Sequence, residues 1–339
     1  MAFTANRPLP EGEPLSEVTV VERPPEPDFT AMTEEELVAY QEAENRWRAA
    51  DSSRAILGER DPCAAIDWRE VALPDRRIPV RVYRPSPGGA DDLPLVLHVH
   101  GSGFVGTATQ SDWINSHLAA RLPAVVVSVE HRLLAPRTPL SAAADDGWEV
   151  LRHVVEHAAR WGVDPERAAV FGESTGALIS ALAAIRAGRA GPRLRAQVLV
   201  NPLTDVTGTM FDHPSMAQHA HTPTLAVPQL RLLQRLAVPP GTDPRPVSPL
   251  YAEVPDAPAP ALVLVPTRDP LADHGRRYAE RLRAAGTSAR LIEYPGAGHA
   301  FLSLPGVPEQ AEAAHAARAD ILRFLRAHLT AGDEREGTR

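Results

Sequence analysis

The sequence of 339 residues contains no lysine; all 35 of its basic residues are arginine. That absence excludes a lysine Schiff base and a phosphate loop built on lysine. Cysteine is nearly absent as well. Cys63 stands alone, so no intrachain disulfide can form and a thiolate metal site is not expected. No apolar run approaches the ~20 residues of a membrane-spanning helix. The opening MAFTANRPLPEGEP lacks the apolar centre of a secretory leader, and a soluble cytoplasmic protein is expected. A basic excess is missing too: the net charge of −8 opposes nucleic-acid binding, which needs a positive face. No block of like charge suggests an interaction tail, and no internal repeat is evident.

What is present is enough apolar material for a large core, 44% of residues, in a length that fits one α/β domain with a lid. Residues 1–30 are rich in proline and acids and read as an extended arm. Thr33 before Glu34-Glu35-Glu36 predicts a helix cap, and Leu37, Tyr40, Trp47 and Ile56 mark an apolar side over the helices that follow. That side covers either a pocket or simply the body of the protein. The period then changes. Val71–Leu73 and Ile78–Tyr83 predict a hairpin around Pro74-Asp75. Leu95–Val99 and Ala124–Val129 are near-continuous apolar runs, as in strands buried on both faces. Further strands are expected at Ala168–Phe171, Ala196–Val200, Ala261–Val265 and Ala289–Tyr294. Helices are expected at Trp148–Trp161, Ala177–Ala187, Asp273–Ala285 and Glu309–Leu329. Alternation of this kind implies a mostly parallel, eight-stranded sheet flanked by helices. The expected organisation is an N-terminal arm with lid helices (1–65), a core (66–203 and 250–329), a lid insertion (204–249) with one helix at Leu225–Leu236, and a tail (330–339).

Gly172-Glu173-Ser174-Thr175-Gly176 falls where a strand pattern becomes a helix pattern. A serine on such a turn projects its hydroxyl from a strained backbone, and the flanking glycines avoid collisions. A hydroxyl needs a base, an orienting carboxylate and donors for an oxyanion. In a parallel sheet these groups gather at the carboxyl ends of strands. Asp269 follows the Ala261–Val265 run and His299 follows Ala289–Tyr294. The order Ser174, Asp269, His299 is that of α/β-hydrolases. Ser174 would be the nucleophile, His299 the general base and then acid, and Asp269 the residue that fixes the imidazole tautomer. Asp273 is a competing acid, although its place at a helix start suits a cap. Backbone amides of Ser102, Gly103 and Thr175 are candidates for an oxyanion hole. His213, His219 and His221 lie in an irregular segment without the helical spacing of metal ligands, and no metal or cofactor is expected.

Four motifs carry a resemblance: His100-Gly101-Ser102-Gly103-Phe104, the pentapeptide at 172–176, Asp269-Pro270-Leu271-Ala272-Asp273 and Gly298-His299-Ala300-Phe301. Their order and spacing resemble the bacterial hormone-sensitive-lipase family of α/β-hydrolases over about residues 70–328. The resemblance implies an α/β-hydrolase fold and a carboxylesterase acting on short or medium acyl esters beneath a lid. It also implies a triad of Ser174, Asp269 and His299. The chain departs from the family pattern at Ser102, usually glycine, and at Glu173 and Thr175, usually Asp and Ala. Glu130-His131-Arg132-Leu133-Leu134-Ala135-Pro136-Arg137 replaces Asp-Tyr-Arg-Leu-Ala-Pro-Glu. Elimination, lactone formation or deacylation on one particular scaffold is therefore an alternative, and a non-catalytic binder another. Phe104, Trp113, Met210, Phe211 and Leu225 are candidate pocket-lining residues. A homodimer through the closing helix and last strand is an expectation by analogy.

Overall fold

A computed structural model describes residues 21–88, 91–253, 255 and 258–330. Helices α1 (Glu34–Ala49) and α2 (Arg54–Leu57) precede the hairpin β1 (Ala64–Ala72) and β2 (Arg77–Pro85). Then come β3 (Leu93–Val99), α3 (Asp112–Arg121), β4 (Val125–Val129), α4 (Leu140–Glu156), α5 (Ala158–Trp161), β5 (Val163–Glu173), α6 (Thr175–Ala190) and β6 (Leu194–Val200). A segment with α7 (Pro214–Gln218), β7 (His221–Thr222), β8 (Leu225–Ala226) and α8 (Val227–Ala237) leads to β9 (Ala261–Arg268), α9 (Ala272–Ala284), β10 (Ala289–Gly298) and α10 (Pro308–Leu329).

Eight of these strands form one sheet in the order β1-β2-β4-β3-β5-β6-β9-β10. Only β2 runs against the others, antiparallel to both β1 and β4. Every residue of β3 and β4 is buried. Leu95, Leu97 and Val99 of β3 enter the core on one face, and Val96 enters the core on the other. Period-two alternation with both sides covered is why the run reads as nearly continuously apolar. Helix α4 supplies one covering stripe, burying Leu140, Ala143, Ala144, Gly147, Val150, Leu151 and Val154. Such 3- and 4-residue spacing is the apolar face of a helix. Thr33 caps α1 as expected: its hydroxyl accepts from the Glu36 N–H at 3.2 Å, and its own N–H donates to Glu36 Oε2 at 2.8 Å.

Several bounds differ from expectation. The helix expected at Trp148–Trp161 begins at Leu140 and is interrupted at His157. The helix expected from Leu225 begins at Val227, because Leu225 and Ala226 pair with Thr222 and His221. Helix α3 was not expected, since its buried face includes Asp112, Asn115 and Ser116. These residues are paired rather than solvated. Asp112 accepts from Arg81 Nε at 2.7 Å, and from the Tyr83 hydroxyl at 2.7 Å. Cys63 is exposed just before β1. Of the expected arm and tail, residues 1–20 and 331–339 lie outside the described residues.

Candidate active site

Strand β5 runs into α6 through Ser174, whose backbone sits at φ 53°, ψ −117°. A non-glycine residue there is strained by ~1–3 kcal/mol, so its surroundings must hold it. The Ser174 N–H donates to the Val200 carbonyl at 2.9 Å. The two glycines are required by space. A Cβ on Gly172 would lie 2.2 Å from the Gly176 carbonyl oxygen, and one on Gly176 would lie 2.2 Å from that of Val99. The helix can thus start directly above the end of β3.

His299 follows β10, and its Nε2 lies 2.8 Å from Ser174 Oγ. On the other side of the ring, Nδ1 lies 2.8 Å from Asp269 Oδ2. Asp269 is fully buried and its second oxygen accepts the Leu271 N–H at 2.8 Å. The competing acid is occupied elsewhere: Asp273 accepts from the Ser215 N–H at 2.9 Å and from Arg276 at 2.9 Å. With Nδ1 donating to a carboxylate, Nε2 is left to accept the serine proton. Asn201, not anticipated from the sequence, places Nδ2 3.3 Å from the same Nε2. It follows β6 at φ 38°, a conformation that asparagine tolerates better than most residues. That position, just past an apolar strand, was the signal available.

Across from Ser174 lies the loop after β3. Ser102 adopts φ 84°, so a glycine-like conformation is imposed on a residue with a Cβ. Among the described residues, neither the Ser102 nor the Gly103 N–H has an acceptor. The Thr175 N–H starts α6, where the helix dipole favours negative charge. The Thr175 side chain is buried, and among the described residues its Oγ1 has no partner. Glu173, in the family's Asp position, is buried too, and accepts the Ser303 hydroxyl at 2.5 Å. His100 and His131 stack with ring centroids 4.2 Å apart. Burial, reinforced by the neighbouring His131, holds His100 well below the ordinary imidazole range, so the ring is neutral.

Ser174, Ser102, Gly103, Thr175 and His299 all line one cleft enclosing about 1080 Å³ including its open mouth. Apolar walls come from Tyr40 and Trp47 of α1, from Phe104, and from Leu225, Leu230 and Leu233 around α8. Phe104 and Leu225, both candidates from the sequence, are among these lining residues. Trp113, Met210 and Phe211 do not line the cleft, which corrects the expectation for these three. Trp113 packs beneath Arg318 at 4.3 Å, and Phe211 lies under Arg231 at 4.7 Å. Met210 is fully buried, with its carbonyl accepting from His274 Nε2 at 3.1 Å. Met210 and Phe211 belong to an irregular segment, where no period fixes the direction of a side chain. His213 faces His274 at 4.6 Å, while His221 is exposed at the start of β7.

Residues 96–303 match the family described as having the alpha/beta hydrolase fold. The chain is 34% identical over 287 residues to an ethyl acetate hydrolase of Pseudomonas putida, covering 81% of this chain and 87% of that one. It is 38% identical over 260 residues to carboxylesterase NlhH of Mycobacterium tuberculosis, covering 74% and 79%. Among solved structures, an ester hydrolase from the metagenome of Lake Arreo superimposes with a TM-score of 0.77 at 28% identity, covering 90% of this chain and 93% of that one. The chain belongs to the α/β-hydrolase family, within its hormone-sensitive-lipase-like branch of carboxylic ester hydrolases.

Proposed function

We propose that this protein is a serine carboxylesterase that cleaves short and medium acyl esters through an acyl-enzyme. One observation carries the proposal: the unbroken path from Asp269 through His299 to Ser174, 2.8 Å at each step, ends in an apolar cleft. Ser174 Oγ attacks the ester carbonyl while its proton passes to His299 Nε2. The carbonyl π electrons move onto oxygen, which accepts from the Ser102, Gly103 and Thr175 amides. Collapse of this adduct expels the alcohol, protonated by His299, and leaves an ester on Ser174. Water then gives a proton to His299 and attacks the same carbon, releasing the carboxylic acid and restoring the serine. Asp269 stays ionised throughout and stabilises the imidazolium formed at each attack. No metal or cofactor takes part in any of these steps.

The N-terminal helices and the segment 204–249 form the lid in this reading, supported by the cleft walls they supply at Tyr40, Trp47, Leu225 and Leu230. Phe104 and Leu225 would then contact substrate. No helix among the described residues is long and apolar enough to cross a membrane, and we place the protein in the cytoplasm. Among the described residues, strand β10 has a neighbour on one side only, and pairing of two such edges would give a homodimer. The central test uses purified protein. It should release p-nitrophenolate from p-nitrophenyl esters between acetate and octanoate, and a fluorophosphonate probe should attach to Ser174. Absence of hydrolysis across this series would end the esterase reading, and absence of labelling would remove Ser174 as its nucleophile and end it as well.

A further inference from the structure

The geometry points to Gln110, oriented by Arg48 of the N-terminal helix, as a positioning residue that holds the oxyanion loop in its working conformation. The inference rests on the proposed role of the Ser102 amide as an oxyanion donor. Gly101 and Ser102 share one peptide unit, whose C=O and N–H point in opposite directions. The Gly101 carbonyl is held on the far side by two donors, Gln110 Nε2 at 3.1 Å and His100 Nδ1 at 3.0 Å. That arrangement leaves the Ser102 N–H facing away from them and, among the described residues, without an acceptor.

The amide of Gln110 can take only one orientation. Its Oε1 receives Arg48 Nη1 at 3.0 Å and the Thr107 N–H at 3.3 Å, both of which are donors. The other end of the amide must therefore be the NH₂ group, and it meets the Gly101 oxygen. Arg48 is itself fixed by Glu44, fully buried on α1, at 2.7 Å. Gly106 closes the arrangement: at φ 120° it brings the chain so near that a Cβ would sit 2.9 Å from the Gly101 oxygen and 3.1 Å from Gln110 Oε1. A second strut from the same helix reaches this point, with the Gly106 N–H donating to Asn45 Oδ1 at 2.6 Å.

This network answers the question that Ser102 raises. A residue with a Cβ at φ 84° persists only where its surroundings over-determine it. Without the Gln110 donor, the Gly101–Ser102 peptide can rotate toward the negative φ that serine prefers, and the N–H would leave the oxyanion site. Glycine at 102 has no such preference. Dependence on Gln110 is thus a consequence of serine at this position.

Gln110→Glu separates positioning from packing, because it keeps the shape and the Arg48 and Thr107 bonds but replaces the donor facing the Gly101 carbonyl with an acceptor. The readouts are kcat and KM on p-nitrophenyl butanoate and the second-order rate of fluorophosphonate labelling at Ser174. Loss of one oxyanion donor costs about 10²–10³ in kcat, so a loosened one should lower kcat and labelling about 10- to 100-fold with KM within about threefold. In a Ser102→Gly background the same substitution should cost at least about fivefold less. Gln110→Met repeats the measurement if Gln110→Glu does not give a wild-type thermal melt. Wild-type kcat in a folded Gln110→Glu protein, or equal losses with Ser102 and with Ser102→Gly, would overturn the inference. If the parent labels at Ser174 but hydrolyses no ester, the esterase reading fails while the labelling rates still decide the role of Gln110. If Ser174 does not label at all, both fall.

Discussion

Replacing Gly176 with alanine would put a methyl group 2.2 Å from the Val99 carbonyl oxygen and 2.4 Å from that of His100. An ordinary carbon–oxygen contact is longer by about 1 Å, so something must move by that amount. Both available movements damage the site. Lifting α6 carries Ser174 and Thr175 away from His299, while lowering the end of β3 displaces the loop with Ser102 and Gly103. Misplacement of reacting groups by about 1 Å costs on the order of 10²-fold in rate, and the forced overpacking about 1–3 kcal/mol of stability. Gly208 is the control: nothing lies within 4 Å of a Cβ built there. Gly208→Ala should leave kcat/KM on p-nitrophenyl butanoate unchanged and melt at or slightly above the parent temperature. The Gly176→Ala protein should melt lower and lose about 100-fold in kcat/KM. If it keeps its activity within about threefold and its melting temperature unchanged, the turn at Ser174 does not rest on the backbone contact described, and the geometric argument for Ser174 is refuted.

Two further outcomes follow from the site. Asp269→Asn should lower kcat by about 10³- to 10⁴-fold through loss of the imidazole tautomer, whereas Asp273→Asn should change it less than about threefold. A comparable loss in both would remove Asp269 from its assigned place. Stability should fall in mild acid. Burial lowers the imidazoles of His98, His100 and His131, and burial with the neighbouring His213 brings His274 down to about 4. Below an unfolded value near 6.5 the unfolded chain takes up protons that the native chain refuses, so stability declines between about pH 6.5 and 4. Thermal melts at pH 7, 5.5 and 4.5 check it, and His274→Gln should flatten the dependence.

Strands were legible because both faces of this sheet are covered, which turns Leu95–Val99 and Val125–Val129 into near-continuous apolar runs, broken only by the buried His98 and Ser128. Helix α3 was hidden for the opposite reason. Its polar residues are buried by pairing, as Asn115 Nδ2 does with His98 at 3.1 Å and Ser116 Oγ with the Asp61 N–H at 2.8 Å, and a periodicity search counts them as solvent-facing. The proposed triad could be found in the sequence because each member follows an apolar strand. Asn201 meets that criterion too, but an asparagine side chain has no acid, base or nucleophile chemistry to single it out. Gln110 and Arg48 offered no signal at all. Their significance arises only when α1 folds across the loop after β3, 62 positions apart in sequence. Trp113 shows the converse: a large aromatic near the motif at 100–104 belongs to the packing between α3 and α10.

The shortage of reactive side chains has a practical side. With no lysine amine anywhere in the sequence and one thiol, Cys63, exposed ahead of β1 and outside the residues that line the cleft, a maleimide has a single side-chain target. A fluorophore, surface tether or crosslinker attached there would sit at one defined atom, leaving the cleft mouth open, so motion over the site could be followed or the protein immobilised without engineering a second handle.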